Sequence, residues 1–213
     1  MTQHHNSSAK IAEYLLRIKA IKLQPENPFT WASGWKSPIY CDNRKTLSYP
    51  EIRNFIRDAF VRTIRENYPD THVIAGVATG GIAVGALVAQ ELNLPFVYVR
   101  SEAKKHGLTN MIEGVAEEGQ KVVVIEDLIS TGSSSLKAVD ALREKGCIVN
   151  GLIAIFSYGF PVAEENFMSA NCNYKTLSNY SVLIEEAKRG NYVSEKDTDT
   201  LIKWREHPEL WGK

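Results

Sequence analysis

Glu126 and Asp127 stand side by side behind the apolar run Val122–Ile125 in KVVVIEDLISTGSS, residues 121–134. Removing two like charges from water is costly, so acids at the end of an apolar strand point to a ligand. KVVVIED reads as a buried strand ending at Asp127, and ligands of open α/β sheets bind beyond the carboxyl ends of strands. Adjacent strand residues face opposite sides, but at a strand end both carboxylates can reach one sugar diol or one cation. Ser130, Thr131, Gly132, Ser133 and Ser134 then form a turn that opens a helix. Gly132 permits close backbone approach, and amides at a helix N-terminus favour an anion. The stretch therefore suits a phosphate in its turn and a diol or a cation on its acids. It is not a P-loop, because GxxxxGK[ST] is absent, and it is not a GxGxxG dinucleotide fingerprint.

Two further groupings carry chemistry. Arg100, Lys104, Lys105 and His106 place four cationic or near-cationic groups within seven residues. They lie in or beside the long polar loop SEAKKHGLTNMIEGVAEEGQ, which by composition is either functional or a solvated charged loop. In GVATGGI, residues 76–82, glycine amides and the Thr79 hydroxyl suit a second anion, although the same pattern serves an ordinary strand-to-helix turn. His4 and His5 read as tail residues, and His72 and His207 as structural or solvated.

The elements that position these groups alternate along the chain. Helical spacing of Ile11, Leu15 and Ile18 predicts a helix over 8–22. NPFTWASGWKSPIYCDNRKTLS reads as short strands or a hairpin. SYPEIRNFIRDAFVRTIREN is an amphipathic helix, with Ser48 and Glu51 at capping-box spacing. Then come strand 72–78, helix 80–92, strand 95–100, the polar loop, strand 121–127, helix 133–146, strand 148–158 and helix 161–170. Two more helices are predicted over 177–190 and 194–207, with Ser178 and Ser194 as N-caps. This βα alternation implies a central parallel sheet covered by helices on both faces. A single domain is expected, with a small hood from about residues 23–45 to which the C-terminal helices are candidate additions.

Lysine plus arginine and aspartate plus glutamate number 25 each, a balance that argues against a general nucleic-acid-binding role. Cys41, Cys147 and Cys172 show no CxxC spacing and read as free thiols in a reducing compartment. Val73–Gln90 carries no charge, but its glycines suit a buried strand, turn and helix better than a membrane span. The opening residues lack a cleavable apolar core, so a soluble cytoplasmic protein without membrane partners is expected.

An apolar strand, two acids, two apolar residues and then S/T-x-G-S/T resembles the phosphoribosyl-diphosphate (PRPP) motif of type I phosphoribosyltransferases. RSEAKKHG is similar to the catalytic loop of the orotate branch, and FTWASGWKSPIYCDNR to its base-binding segment. The resemblance implies a type I α/β fold, with a central mostly parallel sheet flanked by helices and a small hood. It implies a reaction joining orotate N1 to the ribose of PRPP, with Lys104, His106 and Asp127 as catalytic residues. By the same resemblance Glu126 and Asp127 hold the ribose hydroxyls. Leu128 and Ile129 lead into Ser130, Thr131, Gly132, Ser133 and Ser134, which take the 5′-phosphate. Thr79 and Gly80 face pyrophosphate, and Arg100, Lys104 and His106 form a lid over the diphosphate. Ser130 also contacts orotate. Mg²⁺ arrives with PRPP, without direct protein ligands, and the loop crosses into a partner subunit, making a homodimer with shared sites. Ala32, Gly80, Ser101 and Tyr158 stand where some relatives carry cations, which leaves Lys36 and Arg44, together with backbone N–H groups of the hairpin, as candidates for the orotate carboxylate. Trp31, Trp35 and Tyr40 suit either stacking on the base or an aromatic core. Two alternatives are a different base and a non-catalytic PRPP-sensing regulator. The neutral charge and the absence of a helix-turn-helix extension oppose the regulator.

Overall fold

The computed structural model describes residues 2–31, 34, 36–102, 111–208 and 211. Lys104, Lys105, His106, Ala32 and Trp35 therefore lie outside the described residues.

Helix α1 (Thr2–Arg17) packs Ile11, Leu15 and Leu16 into the core. It ends earlier than the periodicity predicts, because Lys19 turns left-handed at φ 54 and Ile21 enters a strand. That strand, β1 (Ile21–Leu23), pairs antiparallel with β4 (Ile39–Cys41), and β2 (Phe29–Thr30) pairs with β3 (Lys36–Ser37). These strand pairs are the hairpin region expected from the sequence. A 3-10 turn, Asn43–Ser48, leads into α2 (Pro50–Asn67). The expected capping box does not form: Tyr49 is the N-cap, without a side-chain bond, and Glu51 instead accepts the Tyr14 hydroxyl at 3.0 Å. Proline in the first turn costs no hydrogen bond there.

The central sheet then builds up as β5 (Val73–Val77), α3 (Gly80–Leu92), β6 (Phe96–Val99), β7 (Ile112–Glu113), β8 (Lys121–Ile129), α4 (Ser133–Glu144), β9 (Ile148–Ser157), α5 (Pro161–Ser169), β10 (Tyr174–Asn179), α6 (Tyr180–Arg189) and α7 (Glu195–Glu206). Its strand order is β10-β9-β8-β5-β6-β7, and only the β6–β7 pair is antiparallel. β7 and β10 were not anticipated. β10 takes in residues 177–179, which the periodicity places at the start of a helix, because Tyr174–Asn179 finds a parallel partner in β9. Ser178 is accordingly a buried strand residue donating to the Ser8 carbonyl at 3.0 Å, and Asn179 caps α6 by accepting from the Val182 amide. Ser194 does cap α7, in a full capping box with Asp197.

Strand alternation divides the core in two. Ile74, Val123, Ile125, Ile153 and Ile155 face a layer formed by α1, α2, α3, α6 and α7. Val73, Ala75, Val122, Val124, Leu152 and Ala154 face α4 and α5. The inner strands β5, β8 and β9 are apolar on both faces, as parallel strands covered on both sides must be. Among the described residues no helix is long and apolar enough to cross a membrane. Cys41, Cys147 and Cys172 are free thiols.

Candidate active site

β8 runs two residues past the predicted end, because Leu128 and Ile129 keep pairing with Phe156 and Ser157 of β9. Alternation therefore still holds at the acids, and they leave the strand on opposite faces. Glu126 turns toward α4 and is 5% exposed. Its Oε2 accepts the Ser135 hydroxyl at 2.9 Å, and its Oε1 accepts the Asp127 amide at 2.9 Å. Burial, then the neighbouring Asp127 charge, pushes its carboxyl up to about 8, so it is neutral at pH 7.

Asp127 turns the other way, onto the start of α3. A Cβ built on Gly80 would lie 2.1 Å from the Asp127 carboxyl carbon, so any side chain there would displace the carboxyl. The two loops predicted to hold anions, Thr79–Gly80 and the turn after β8, thus meet at this carboxylate. Asn43, fully buried, donates from Nδ2 to the Asp127 carbonyl at 2.6 Å and pins the strand end.

The turn after β8 has the predicted form. Gly132 is left-handed at φ 81 and N-caps α4, with Ser133 and Ser134 exposed in its first turn. Thr131 and Ser133 hydroxyls lie 3.0 Å apart, and Asn166 donates to the Thr131 carbonyl at 2.9 Å. Phe167 sits where a Gly132 Cβ would need to be. α5 thus holds the turn from behind and leaves its amides open. Thr79 is exposed and joined to Ala78 by a cis peptide bond.

At the far end of the sheet, the Arg100 amide donates to the Met111 carbonyl at 2.9 Å, closing the stem of the polar loop. The Arg100 guanidinium lies 3.5 Å from Glu113 of β7. Next to the turn, a cavity of about 300 Å³ opens between sheet and hairpins. Thr30, Trp31, Tyr40, Cys41, Leu128, Ser130 and Tyr158 line it. Its walls are mostly apolar, and among the described residues none of the lining side chains is a cation. Lys36 reaches the rim, donating from Nζ to the Thr30 hydroxyl at 2.8 Å. Arg44 is turned away into an ion pair with Asp42 at 2.7 Å. Burial keeps the Tyr158 hydroxyl and the Cys41 thiol neutral by pushing both well above their ordinary values.

Of the residues singled out from sequence, the structure brings Thr79, Gly80, Asp127 and Ser130–Ser134 to one strand-end crevice, with Ser130 also on the cavity wall. Ile129 is buried beneath the turn, and Arg100 approaches from the edge. Sequence reasoning missed Asn43, Ser135 and Asn166. Each is an uncharged polar residue whose partner is distant in sequence or hidden by helix geometry, so no local signal marks it. Tyr158 was noted only for the cation it lacks.

The comparisons agree with this geometry. Residues 47–164 match the family model described as "Phosphoribosyl transferase domain". An orotate phosphoribosyltransferase from Phocaeicola vulgatus is 61% identical over 200 residues, covering 94% of each chain. One from Bacteroides thetaiotaomicron is 60% identical over 206 residues, covering 97% of each. The crystal structure of orotate phosphoribosyltransferase from Aeropyrum pernix superposes with a TM-score of 0.75 at 26% identity, covering 86% of this chain and 99% of that one. With its glycine turn opening α4, its carboxylate above Gly80 and a cavity beside them, the chain belongs to the orotate phosphoribosyltransferase family, within the type I phosphoribosyltransferase fold.

Proposed function

We propose that this chain transfers the 5-phosphoribosyl group from PRPP to N1 of orotate, giving orotidine 5′-monophosphate and pyrophosphate in de novo UMP synthesis. One observation carries the reading: Ser130 belongs both to the phosphate turn and to the cavity wall, with Leu128 at the end of β8 beside it. A flat base in the cavity then lies beside the sugar of a ribose phosphate seated on the turn. Asp127 aligns the diol, and the open amides of Thr131–Ser134 at the α4 N-terminus take the 5′-phosphate. The bond from C1 to the diphosphate breaks with its electron pair leaving on oxygen, while orotate N1 supplies the pair for the new bond. Orotate is already anionic, so positioning and charge neutralisation carry the rate. Amides of Thr79 and Gly80, with Arg100, Lys104 and His106, stabilise charge gathering on pyrophosphate. Glu126 supports Asp127 from behind.

Mg²⁺ suits this donor set, which offers a carboxylate and hydroxyl oxygens beside a substrate rich in phosphate oxygens. Bound with PRPP, it would neutralise the diphosphate. Lys36 faces the orotate carboxylate across the Thr30 hydroxyl. The loop bearing Lys104 and His106 closes over a partner's site in a cytoplasmic homodimer. The test is to supply PRPP and Mg²⁺ with orotate, uracil, hypoxanthine or adenine in turn and follow nucleotide formation. Orotidine 5′-monophosphate from orotate alone is expected, and consumption of a purine in its place would overturn the reading.

A further inference from the structure

Behind the cavity wall lies a ring cluster that neither the phosphate turn nor the transfer chemistry uses. Trp31 and Tyr158 line the cavity with ring centroids 5.2 Å apart. Trp204, on α7, is fully buried and lies behind them, outside the lining. Its indole meets Trp31 edge-on at 5.7 Å and 82°, and Tyr158 at 6.1 Å and 80°. Phe160 and Tyr180 enclose the same ring at 5.6 Å and 5.7 Å. Trp31 is tethered in front, its Nε1 donating to the Ile39 carbonyl at 3.1 Å. α7 is tethered behind, the Tyr180 hydroxyl donating to the Leu201 carbonyl at 2.9 Å. Among the described residues the buried Trp204 Nε1 has no hydrogen-bond partner, so this ring sits here for its shape and not for its polar atom.

We propose that Trp204 is a positioning residue for the base: α7, through this one indole, sets the tilt of Trp31 and Tyr158 and hence the width of the slot that receives a flat pyrimidine. The inference rests on the assignment of the cavity as the base site. Close-packed cores do not leave a void behind a wall ring, so removing the indole lets Trp31 and Tyr158 relax backwards and opens the slot. The effect is confined to the base by the architecture. The groups that brace the phosphate turn, Ser135, Asn166 and Phe167, belong to α4 and α5 on the opposite face of the sheet from Trp204.

Steady-state kinetics on the full chain test this. Trp204→Leu raises the KM for orotate about tenfold and leaves the KM for PRPP within about twofold. Trp204→Phe, which keeps a ring and deletes the unpartnered N–H, restores the orotate KM. Trp204→Met, a milder change, is measured alongside, so that a leucine variant that fails to fold leaves the test standing. Leu201→Ala, which weakens α7 without touching the wall rings, lowers thermal stability but leaves the orotate KM unchanged. Equal rises in both KM values, an unchanged orotate KM in folded Trp204→Leu or Trp204→Met, or a tenfold orotate effect from Leu201→Ala would each overturn the proposal. A wild-type chain that turns over PRPP with a purine and not orotate would instead overturn the base assignment.

Discussion

Glu126→Gln should stabilise this protein, increasingly so as pH rises. In the folded chain burial and the Asp127 charge hold the Glu126 carboxyl up to about 8, against an ordinary value of 4.5. Between those values the folded state carries a proton that the unfolded state has released. Stability therefore falls with rising pH across that window by about 1.4 kcal/mol per unit. The penalty is absent below about pH 4.5, amounts to about 3 kcal/mol at pH 7, and stops growing above pH 8. Glutamine imitates the neutral acid. Its amide oxygen can accept the Asp127 N–H and its NH₂ can donate to Ser135 Oγ, so both contacts of the native side chain survive. Denaturant melts of wild type and variant at pH 5, 7 and 8.5 give the assay. The variant should exceed wild type by less than about 1 kcal/mol at pH 5 and by about 3 kcal/mol at pH 7, the latter roughly 6–12 °C in Tm for a chain of this size. The difference between the two proteins cancels every titration they share. Parallel stability curves from pH 5 to 8.5 would show that Glu126 is charged in the folded state and would refute its burial as a neutral acid.

Gly80→Ala places a methyl on the Asp127 carboxyl, and the displaced carboxylate should cost at least about a hundredfold in kcat/KM for PRPP, measured by initial rates. Lys36→Met should raise the orotate KM about tenfold and leave the PRPP KM within about twofold, because the lysine is placed to pair with the orotate carboxylate and not with the sugar phosphate. Ser194→Ala deletes the α7 capping box and should cost about 1 kcal/mol in thermal melts with kcat intact. Mixed dimers of Lys104→Ala and Asp127→Asn chains should recover activity that neither variant has alone, since one of the two sites regains both residues. Mixtures that stay inactive after demonstrated subunit exchange would show that the loop serves its own chain.

What the sequence made legible was chemistry written in consecutive residues. An apolar run, an acid pair and a hydroxyl-rich glycine turn specify a strand, a tight turn and a helix start without help from the rest of the chain. Support for that site is written across long separations. Asn43 holds a carbonyl 84 positions away, and Ser135 finds Glu126 only once α4 has folded back onto β8. β10 hides in the same way: Tyr174–Asn179 becomes strand because β9 offers an edge, a fact about β9. The acid pair shows how local and distant information combine. Adjacency in sequence suggests a common task for Glu126 and Asp127, and that would hold if the strand ended with them. Two further rungs of pairing to β9 keep the alternation intact, so the two side chains leave the strand on opposite faces although their carboxyls still hydrogen-bond one another. One acid faces the ligand crevice as a carboxylate above Gly80. The other enters the core as a neutral acid and ties the strand to the helix that carries the phosphate turn. The pairing register of β8, more than the identity of either residue, assigns the two roles.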